Sequence, residues 1–215
     1  KIKILFAVES GSRVWGIESQ DSDFDVRFVF SRKKDDYLTL DRKPEVIEVK
    51  KENRDYVGFD IFKFLQHLKA SNPSAIEWLK SDIVYMNQMK GFEELSKNID
   101  ENVNPIALFY HYKSLCKNNY IKFLKKGDDL RYKRYLYCLR GMLNAELVLE
   151  TGKIPPIKFN ELLPFDTPRH FLLKIIEIIY IKKEGFEKDN IEKIPVLDKE
   201  VEKFLKSTDE PKSRK

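Results

Sequence analysis

The chain has 215 residues, of which 42% are hydrophobic and 35% charged, and its formal net charge is +5. This length and composition allow a buried core in one large domain or two small ones, and they exclude a chain that is mostly disordered. No apolar run reaches the ~18 residues needed to cross a bilayer. The positive charge permits a polyanionic partner such as RNA or a nucleotide, and it equally fits an ordinary solvated Lys/Glu surface.

The two cysteines predict apolar helix packing rather than a disulfide or a metal site. Cys116 and Cys138 lie in sequence of helical character and form no C-x-x-C pair. No signal-peptide pattern precedes the first apolar run. We therefore expect a reducing, cytoplasmic location.

The first part of the chain carries the β-branched and aromatic runs that predict strands. Three strands are expected at residues 2–8, 23–30 and 46–50, and a fourth is expected to end near Asp60. A polar connection, SRKKDDYLTLDRKPE, separates the second strand from the third. These runs predict a small sheet at the start of the chain.

From Ile61 onward a 3.6-residue period predicts helices. A short helix begins at Ile61, and a second begins at Pro73 with Asn72 as its cap. Two long amphipathic helices, ending at Gly127 and Gly152, are expected to form an antiparallel hairpin. Further helices are expected at 168–183 and 198–206, followed by a frayed tail. The fold class is therefore α+β, with a small sheet followed by a mainly helical second half.

Two aspartates alternate with apolar residues in the stretch DFDV, which begins at Asp23. On a strand, the side chains of Asp23 and Asp25 share one face, where two unpaired carboxylates would be costly. A divalent cation removes that cost, and such oxygen ligands suit Mg²⁺ or Mn²⁺. The alternative is that both acids belong to a solvated turn or cap. A calcium loop starting at Asp21 is disfavoured, because it lacks the required Gly and Glu at its sixth and twelfth positions.

A Gly-Ser pair precedes these acids and follows directly on the first predicted strand. At Gly11 the backbone can approach a ligand closely, and the Ser12 hydroxyl with nearby N–H groups can hold phosphate oxygens. Alone, the pair predicts only a turn. Together with a carboxylate pair on the next strand, it indicates phosphoryl or nucleotidyl transfer.

The wider sequence resembles a known superfamily. Gly11, Ser12 and the DFDV stretch look like the signature of the DNA polymerase β-like nucleotidyltransferases. The segments ESGSRVWGIESQDSDFDVRFVF, GFDIFKFL and NPSAIEWLKSDIVY resemble the predicted RNA-repair-associated members of that superfamily. The resemblance implies a mixed-sheet nucleotidyltransferase head, expected at residues 1–100, followed by a helical domain at 101–215.

The resemblance also implies a third carboxylate and a two-metal reaction. Asp60 is the candidate that would join Asp23 and Asp25 in holding two Mg²⁺ or Mn²⁺ ions. The alternative is that Asp60 caps the helix beginning at Ile61, in which case Asp55 is the fallback. The reaction implied is transfer of an NMP from an NTP to a hydroxyl, with an RNA end, including tRNA, as the favoured acceptor and pyrophosphate as the product.

Nucleotide-binding residues follow from the same resemblance. Ser12 and the backbone at Gly11 would hold the outgoing phosphates. Arg13 and Arg27 would either neutralise phosphate charge or act as ion-pair partners of the acids.

A second set of candidates lies in the helical half. Lys133, Tyr137 and Arg140 recur at helical spacing and share one helix face. In related enzymes such a face closes over the triphosphate. The alternative is an exposed basic stripe.

Other classes of function remain open on the sequence alone. The same fold can serve as a non-catalytic nucleotide-binding or RNA-binding module, or act on a protein or small-molecule hydroxyl. A purely structural helical protein leaves the paired carboxylates unexplained. Retention of all three candidate carboxylates favours an active enzyme.

Overall fold

A computed structural model of the protein describes residues 1–127, 130–163, 167–185 and 189–211. These residues pack into two units. The first unit contains Lys1–Trp15 and Ser22–Val103, and the second contains Gly16–Asp21 and the described residues from Asn104 onward. The predicted boundary at residues 100 and 101 falls inside a helix, and the assignment of separate roles to the two ranges stays a prediction.

The first unit is built on five strands: β1 Lys3–Ser10, β2 Phe24–Ser31, β3 Val46–Lys51, β4 Arg54–Asp60 and β5 Val84–Asn87. They lie in the order β3-β4-β2-β1-β5. Strands β2 and β4 are parallel, and the other neighbouring pairs are antiparallel. The mixed sheet of the predicted α+β fold is confirmed.

The first unit also contains four helices, α1 Gly11–Val14, α2 Ile61–Lys69, α3 Pro73–Lys80 and α4 Phe92–Asn102, and aromatic packing fixes the last three against the sheet. The ring of Phe6 on β1 is fully buried and meets the rings of Phe64 on α2 and Phe92 on α4 edge-on, at centroid distances of 5.3 and 5.2 Å. Phe59 on β4 packs against Trp78 on α3 at 4.3 Å. Helices α2 to α4 therefore cover the sheet face that carries Phe6 and Phe59.

The second unit contains the long helices α5 Pro105–Asn119, α6 Tyr132–Thr151, α7 Arg169–Lys183 and α8 Pro195–Lys206. A π-helical turn, Tyr120–Leu124, extends α5. Helix α6 packs against the other three helices. At Gly141 of α6 an added Cβ would lie 2.7 Å from the backbone nitrogen of Cys116, so glycine is what lets α5 and α6 approach this closely.

Contacts along α5 and α6 confirm the predicted antiparallel hairpin. Cys116 faces Cys138 with a sulfur separation of 3.7 Å, whereas Phe123, further along, lies 3.7 Å below the guanidinium of Arg134. Residue numbers thus rise on one helix as they fall on the other. Both thiols are free and buried, as predicted for helix packing, and the hydrogen bond to Cys116 together with burial raises the pKa of the Cys138 thiol.

The helix start at Pro73 is as predicted, and α3 and α5 each begin with a proline that follows an asparagine whose side chain accepts backbone N–H groups of the first turn. Strand β5 and helix α4 were not predicted, and a short helix, α1, stands where the sequence predicted only a turn. The last helix begins at Pro195, three residues before the predicted start. The predicted tail is described only as far as Pro211. Within the described ranges, none of the helices is both long and apolar enough to span a bilayer.

Candidate active site

Two carboxylates face each other across the parallel strands of the sheet. Asp25 on β2 is in register with Asp55 on β4, so both side chains project from the same face. The guanidinium of Arg27 lies between them, with Nη2 2.9 Å from Asp25 Oδ1 and 3.0 Å from Asp55 Oδ2. Arg27 also donates from Nη1 to the Asp55 carbonyl at 3.0 Å. Arg27 is therefore the ion-pair partner of these acids, which offsets the repulsion between two neighbouring carboxylates.

The Gly-Ser turn lies directly against Asp25. Ser10, the last residue of β1, pairs with Asp25, and α1 begins at Gly11. Gly11 has a φ of +68°, and an added Cβ would lie 2.1 Å from Asp25 Oδ2. Only glycine fits both the backbone conformation and the space. The next residue, Ser12, is 8% exposed. The structure thus brings together the predicted phosphate turn and the predicted metal-binding strand.

Asp23 lies just before β2, and its side chain is exposed. Arg13 holds the backbone at this point, with Nη2 donating to the Ser22 carbonyl at 2.8 Å and Nε to the Asp23 carbonyl at 3.4 Å. The same guanidinium stacks 3.9 Å above the ring of Phe24. Arg13 therefore contacts carbonyl groups of this loop, which fixes where the chain carrying Asp23 enters the sheet.

Trp15, at the end of the motif, contacts the protein rather than open solvent. Its ring nitrogen donates to Glu77 Oε2 on α3 at 3.3 Å. Both residues belong to the segments that resemble the family. The bond between Trp15 and Glu77 shows that the two residues pack the motif loop against α3.

Glu9 is a further acid of the site that sequence reasoning missed. It is 1% exposed, and its Oε1 accepts the backbone N–H of Asp25 at 2.8 Å. The hydroxyl of Tyr85 on β5 donates to Oε2. Burial, together with this hydrogen bond to the Glu9 carboxylate, raises the pKa of the Tyr85 phenol. An acid at the end of an apolar strand was the available signal, but one of its two partners, Tyr85, lies on β5, the strand that was not predicted.

Asp60 lies away from the other acids, which contradicts the expectation that it stands beside Asp23 and Asp25. It pairs with Phe30, five residue pairs along the parallel strands from the Asp25–Asp55 pair, which is a separation of roughly 17 Å. Asp55, the fallback, lies on the neighbouring strand β4 directly opposite Asp25.

The contacts of Asp60 explain why it is an acid. Its Oδ1 accepts the backbone N–H of Phe62 at 3.0 Å, as an N-cap of α2, and its Oδ2 accepts the hydroxyl of Tyr37 at 2.8 Å. Burial and the Asp60 carboxylate raise the pKa of Tyr37. Asp60 lines a cavity of about 430 Å³ in the first unit, together with Arg32 and Tyr37.

The three candidates of the helical half lie on α6 in the second unit. Lys133 Nζ lies 6.0 Å from the ring centre of Tyr137. Arg140 is only 5% exposed, and its Nη2 donates to the carbonyl of Ile157 at 3.3 Å. The alternative of an exposed basic stripe is therefore wrong for Arg140. The part of these residues in triphosphate binding stays a prediction.

The donor set of the first unit fits a divalent cation by its chemistry. Asp23, Asp25 and Asp55 offer carboxylate oxygens, which Mg²⁺ and Mn²⁺ prefer. Gly11 leaves room for the Asp25 carboxylate. Within the described parts of the chain, no three His, Cys, Asp or Glu side chains converge tightly enough to form a metal site as they stand. The guanidinium of Arg27 forms ion pairs with two of the three acids, Asp25 and Asp55.

Comparison with known proteins places the chain in a family. The model of the family described as RNA repair pathway DNA polymerase beta family (RlaP) matches residues 1–215. The uncharacterized protein YcgL of Bacillus subtilis (strain 168) is 36% identical over 220 residues, which cover 100% of this chain and 84% of YcgL. The uncharacterized protein MJ0002 of Methanocaldococcus jannaschii is 31% identical over 153 residues, covering 69% of this chain and 61% of MJ0002.

Among solved structures, a nucleotidyltransferase-like protein from Exiguobacterium sibiricum 255-15 is similar over 95% of this chain and 72% of its own. The sequence identity is 14% and the TM-score 0.32. A TM-score this low does not establish a shared fold. The family match and the relatives of similar sequence therefore carry the assignment.

Proposed function

We propose that this chain, which belongs to the RNA repair pathway DNA polymerase beta family, is a metal-dependent nucleotidyltransferase acting on the end of an RNA, with tRNA among the candidates. It transfers an NMP from an NTP to a hydroxyl and releases pyrophosphate. The observation that carries the proposal is the pairing of Asp25 with Asp55 beside the Gly11–Ser12 turn. Carboxylates for a metal and donors for phosphate meet there at one end of a rigid sheet.

Asp23, Asp25 and Asp55 are the residues that would hold the metal. When bound, a pair of divalent ions supplies charge stabilisation for both the attacking and the leaving oxygen of an in-line displacement. In the displacement, a bond forms between the acceptor oxygen and the α-phosphorus, and the bond from that phosphorus to the pyrophosphate oxygen breaks. The acceptor hydroxyl gives up its proton to solvent water, and the pyrophosphate leaves with the electron pair of the broken bond.

The other residues of the site bind and orient. Ser12 and the backbone N–H groups that follow Gly11 hold the outgoing phosphates. Glu9 fixes Asp25 through its backbone N–H, and Arg13 fixes the loop that carries Asp23. These contacts hold the carboxylates on the strand ends before a substrate arrives, which limits the reorganisation that the reaction requires.

RNA is proposed as the acceptor on two grounds, the description of the family and the net charge of +5. A protein side chain or a small-molecule hydroxyl would use the same donor set. A non-catalytic module of the same fold would bind nucleotide without requiring a divalent ion.

The test is transfer of label from α-labelled NTPs to a pool of RNA, protein or small-molecule acceptors in the presence of Mg²⁺ or Mn²⁺. We expect labelled RNA, strict dependence on the divalent ion, and a loss of at least about 100-fold in Asp23→Asn and Asp25→Asn. Asp41→Asn, which changes an exposed acid in the loop before β3, is the matched control. Absence of label in every acceptor, or equal label in Asp25→Asn and the control, would contradict the enzyme. Label in protein or small molecules alone would contradict the RNA acceptor.

A further inference from the structure

A surface pocket of about 380 Å³ lies in the second unit, apart from the residues of the candidate active site. It runs along one face of α5 and the π-helical turn, where Tyr110, Lys113, Lys117 and Ile121 recur at helical spacing. Lys125 follows the turn and also lines the pocket. A cavity of this size accommodates a nucleotide-sized ligand.

The lining of the pocket carries three lysines, Lys113, Lys117 and Lys125, and no carboxylate. Lys113 is held in place, since its Nζ donates to the carbonyl of Ser207 at 2.7 Å. Lys117 and Lys125 are exposed, and across the described ranges neither forms an ion pair within 4.0 Å, although the Glu202 carboxylate interacts electrostatically with Lys125. Two of the three ammonium groups therefore remain available to an anion from solution.

Two tyrosines complete the pocket. The ring of Tyr110 is 41% exposed, and its hydroxyl donates to Glu210. Tyr120 is 8% exposed, and its hydroxyl donates to Glu202. Because these carboxylates accept hydrogen bonds from the tyrosine hydroxyls, the orientation of each ring is restrained. An oriented and exposed aromatic face beside free lysines is the combination that binds a base and its phosphates.

The π-helical turn is a second observation that points to a site. Lys125 N–H donates to the Tyr120 carbonyl at 2.8 Å, a bond five residues back along the chain. Single π-helical turns are rare and occur frequently at functional sites. Here the turn carries Tyr120 and Ile121 into the pocket and precedes Lys125.

The cavity of the first unit makes a useful comparison, because it is larger but its charges balance. It is lined by as many cations as carboxylates: Arg32, Arg42 and Lys43 against Asp36, Glu45 and Asp60. Lys43 is also paired with Asp36. An anion therefore has no net attraction to that cavity, whereas the charged residues that line the pocket on α5 are all lysines.

We infer that the α5 pocket binds single-stranded RNA, with backbone phosphates on Lys117 and Lys125 and a base stacked on Tyr110. The inference deepens the proposed function and rests on it for the choice of RNA over other polyanions. It assigns a part of the acceptor-binding surface to the helical half. Because stacking and phosphate contacts tolerate any sequence, binding shows little base preference.

The test is the binding of a fluorescein-labelled single-stranded RNA oligonucleotide, measured by anisotropy in EDTA without NTP. The double variant Lys117→Gln/Lys125→Gln is compared with Lys122→Gln/Lys126→Gln, which removes the same charge from the same helical segment outside the pocket. We expect the pocket variant to bind at least about fivefold more weakly than the control, with a salt slope reduced by about 1.4. Tyr110→Leu also weakens binding about fivefold or more. Equal affinity in the two double variants would overturn the inference.

Two further arms separate this inference from other partners and from the proposed function. Vesicles containing phosphatidylserine serve as a competitor, and we expect them not to displace RNA. The RNA assignment would be overturned if the vesicles displaced RNA and if the pocket variant, but not its control, failed to bind the vesicles. Asp41→Asn, which changes an exposed acid outside both sites, should bind RNA as tightly as the parent. Pocket-dependent RNA binding without any transfer would contradict the proposed function alone, whereas transfer to RNA with binding unaffected by the pocket variants would contradict this inference alone.

Discussion

Arg27 is the residue on which the charge balance of the candidate site depends. Its guanidinium pairs with Asp25 and Asp55, which lie directly opposite each other on neighbouring strands. The side chain of Arg27 is 15% exposed, and those of the two acids are 25% and 35% exposed. Partial burial makes the loss of this counter-ion more costly than loss of a surface pair. A metal at the same carboxylates has to compete with the guanidinium.

Replacing Arg27 should therefore lower the stability of the metal-free protein and increase the stabilisation that a divalent cation provides. We expect Arg27→Gln to lower the free energy of unfolding by about 1–3 kcal/mol, a fall in Tm of roughly 2–12 °C, because two carboxylates are left facing each other. Millimolar Mn²⁺ should restore more of the Tm in Arg27→Gln than it adds to the parent. Thermal unfolding with and without Mn²⁺ measures both. Arg32→Gln, just beyond the other end of β2, is the control, and an equal response of all three proteins would contradict the competition.

Gly11 offers a matched pair of substitutions. Gly11 and Gly91 have similar φ values, +68° and +76°, but an added Cβ would lie 2.1 Å from Asp25 Oδ2 at Gly11 and meets nothing within 4 Å at Gly91. Both alanine variants carry backbone strain of about 1 kcal/mol. Only Gly11→Ala should also displace the Asp25 carboxylate and lower nucleotidyl transfer, by at least about tenfold. The transfer rate and the unfolding free energy are measured for both variants. Equal loss of activity in Gly11→Ala and Gly91→Ala would contradict this prediction.

At the scale of elements, the contact of α6 with α8 contains a pH-sensitive group. Burial raises the pKa of Glu146 on α6 to about 7, helped by the charge of Glu200 and opposed by Lys203, both on α8. Lys113 and Asp209 line the same small pocket. In the unfolded chain the carboxyl loses its proton at its ordinary pKa. The native state therefore holds the proton over a higher range of pH than the unfolded state does.

Stability from this group is present at low pH and is lost as the pH rises from about 4.5 through 7. The loss amounts to at most about 3 kcal/mol. Glu146→Gln is neutral at every pH and should remove this dependence, so the difference in unfolding free energy between variant and parent should grow in favour of the variant between pH 5 and pH 8. Denaturant unfolding at the two pH values measures it. A difference that stays constant would contradict a protonated, buried Glu146.

Local signals predicted most of the elements. Asn72 with Pro73 and Gly152 mark ends of helices in sequence and in structure, because caps and left-handed glycines act within one turn. Strand β5 has only four residues, too few to show a period of two. Helix α4 buries only Ile99, so its apolar stripe is weak. Elements of this kind are stabilised by what they pack against, which local sequence does not show.

At the scale of the whole molecule, strand register decides the site and is not a local property. Asp23, Asp25, Gly11 and Ser12 follow one another closely along the chain, so their spacing predicted that they meet. The third acid comes from β4, and its choice depends on which residue of β4 lies opposite Asp25. A register in which Asp55 faces Asp25 places Asp60 at the far end of the same strands. No spacing within the sequence contains that information.

The two units divide the proposed work between them. The first unit holds the carboxylates and the Gly-Ser turn, and the second holds the basic pocket on α5. Residues Gly16–Asp21, which link that turn to the strand carrying Asp25, pack with the second unit, where the carbonyl of Ile17 accepts a hydrogen bond of 2.7 Å from the buried Lys182. Catalysis and acceptor binding are therefore expected to respond to different substitutions.

The most direct test of the account is the rate of NMP transfer by Asp55→Asn and Asp60→Asn, measured side by side with the parent and Asp25→Asn. We predict that Asp55→Asn falls by at least about 100-fold, like Asp25→Asn. Asp60→Asn should keep its rate within about tenfold, and its unfolding free energy should stay close to the parental value because asparagine caps a helix about as well as aspartate. A result in which Asp60→Asn is inactive and well folded while Asp55→Asn retains the parental rate would contradict the account.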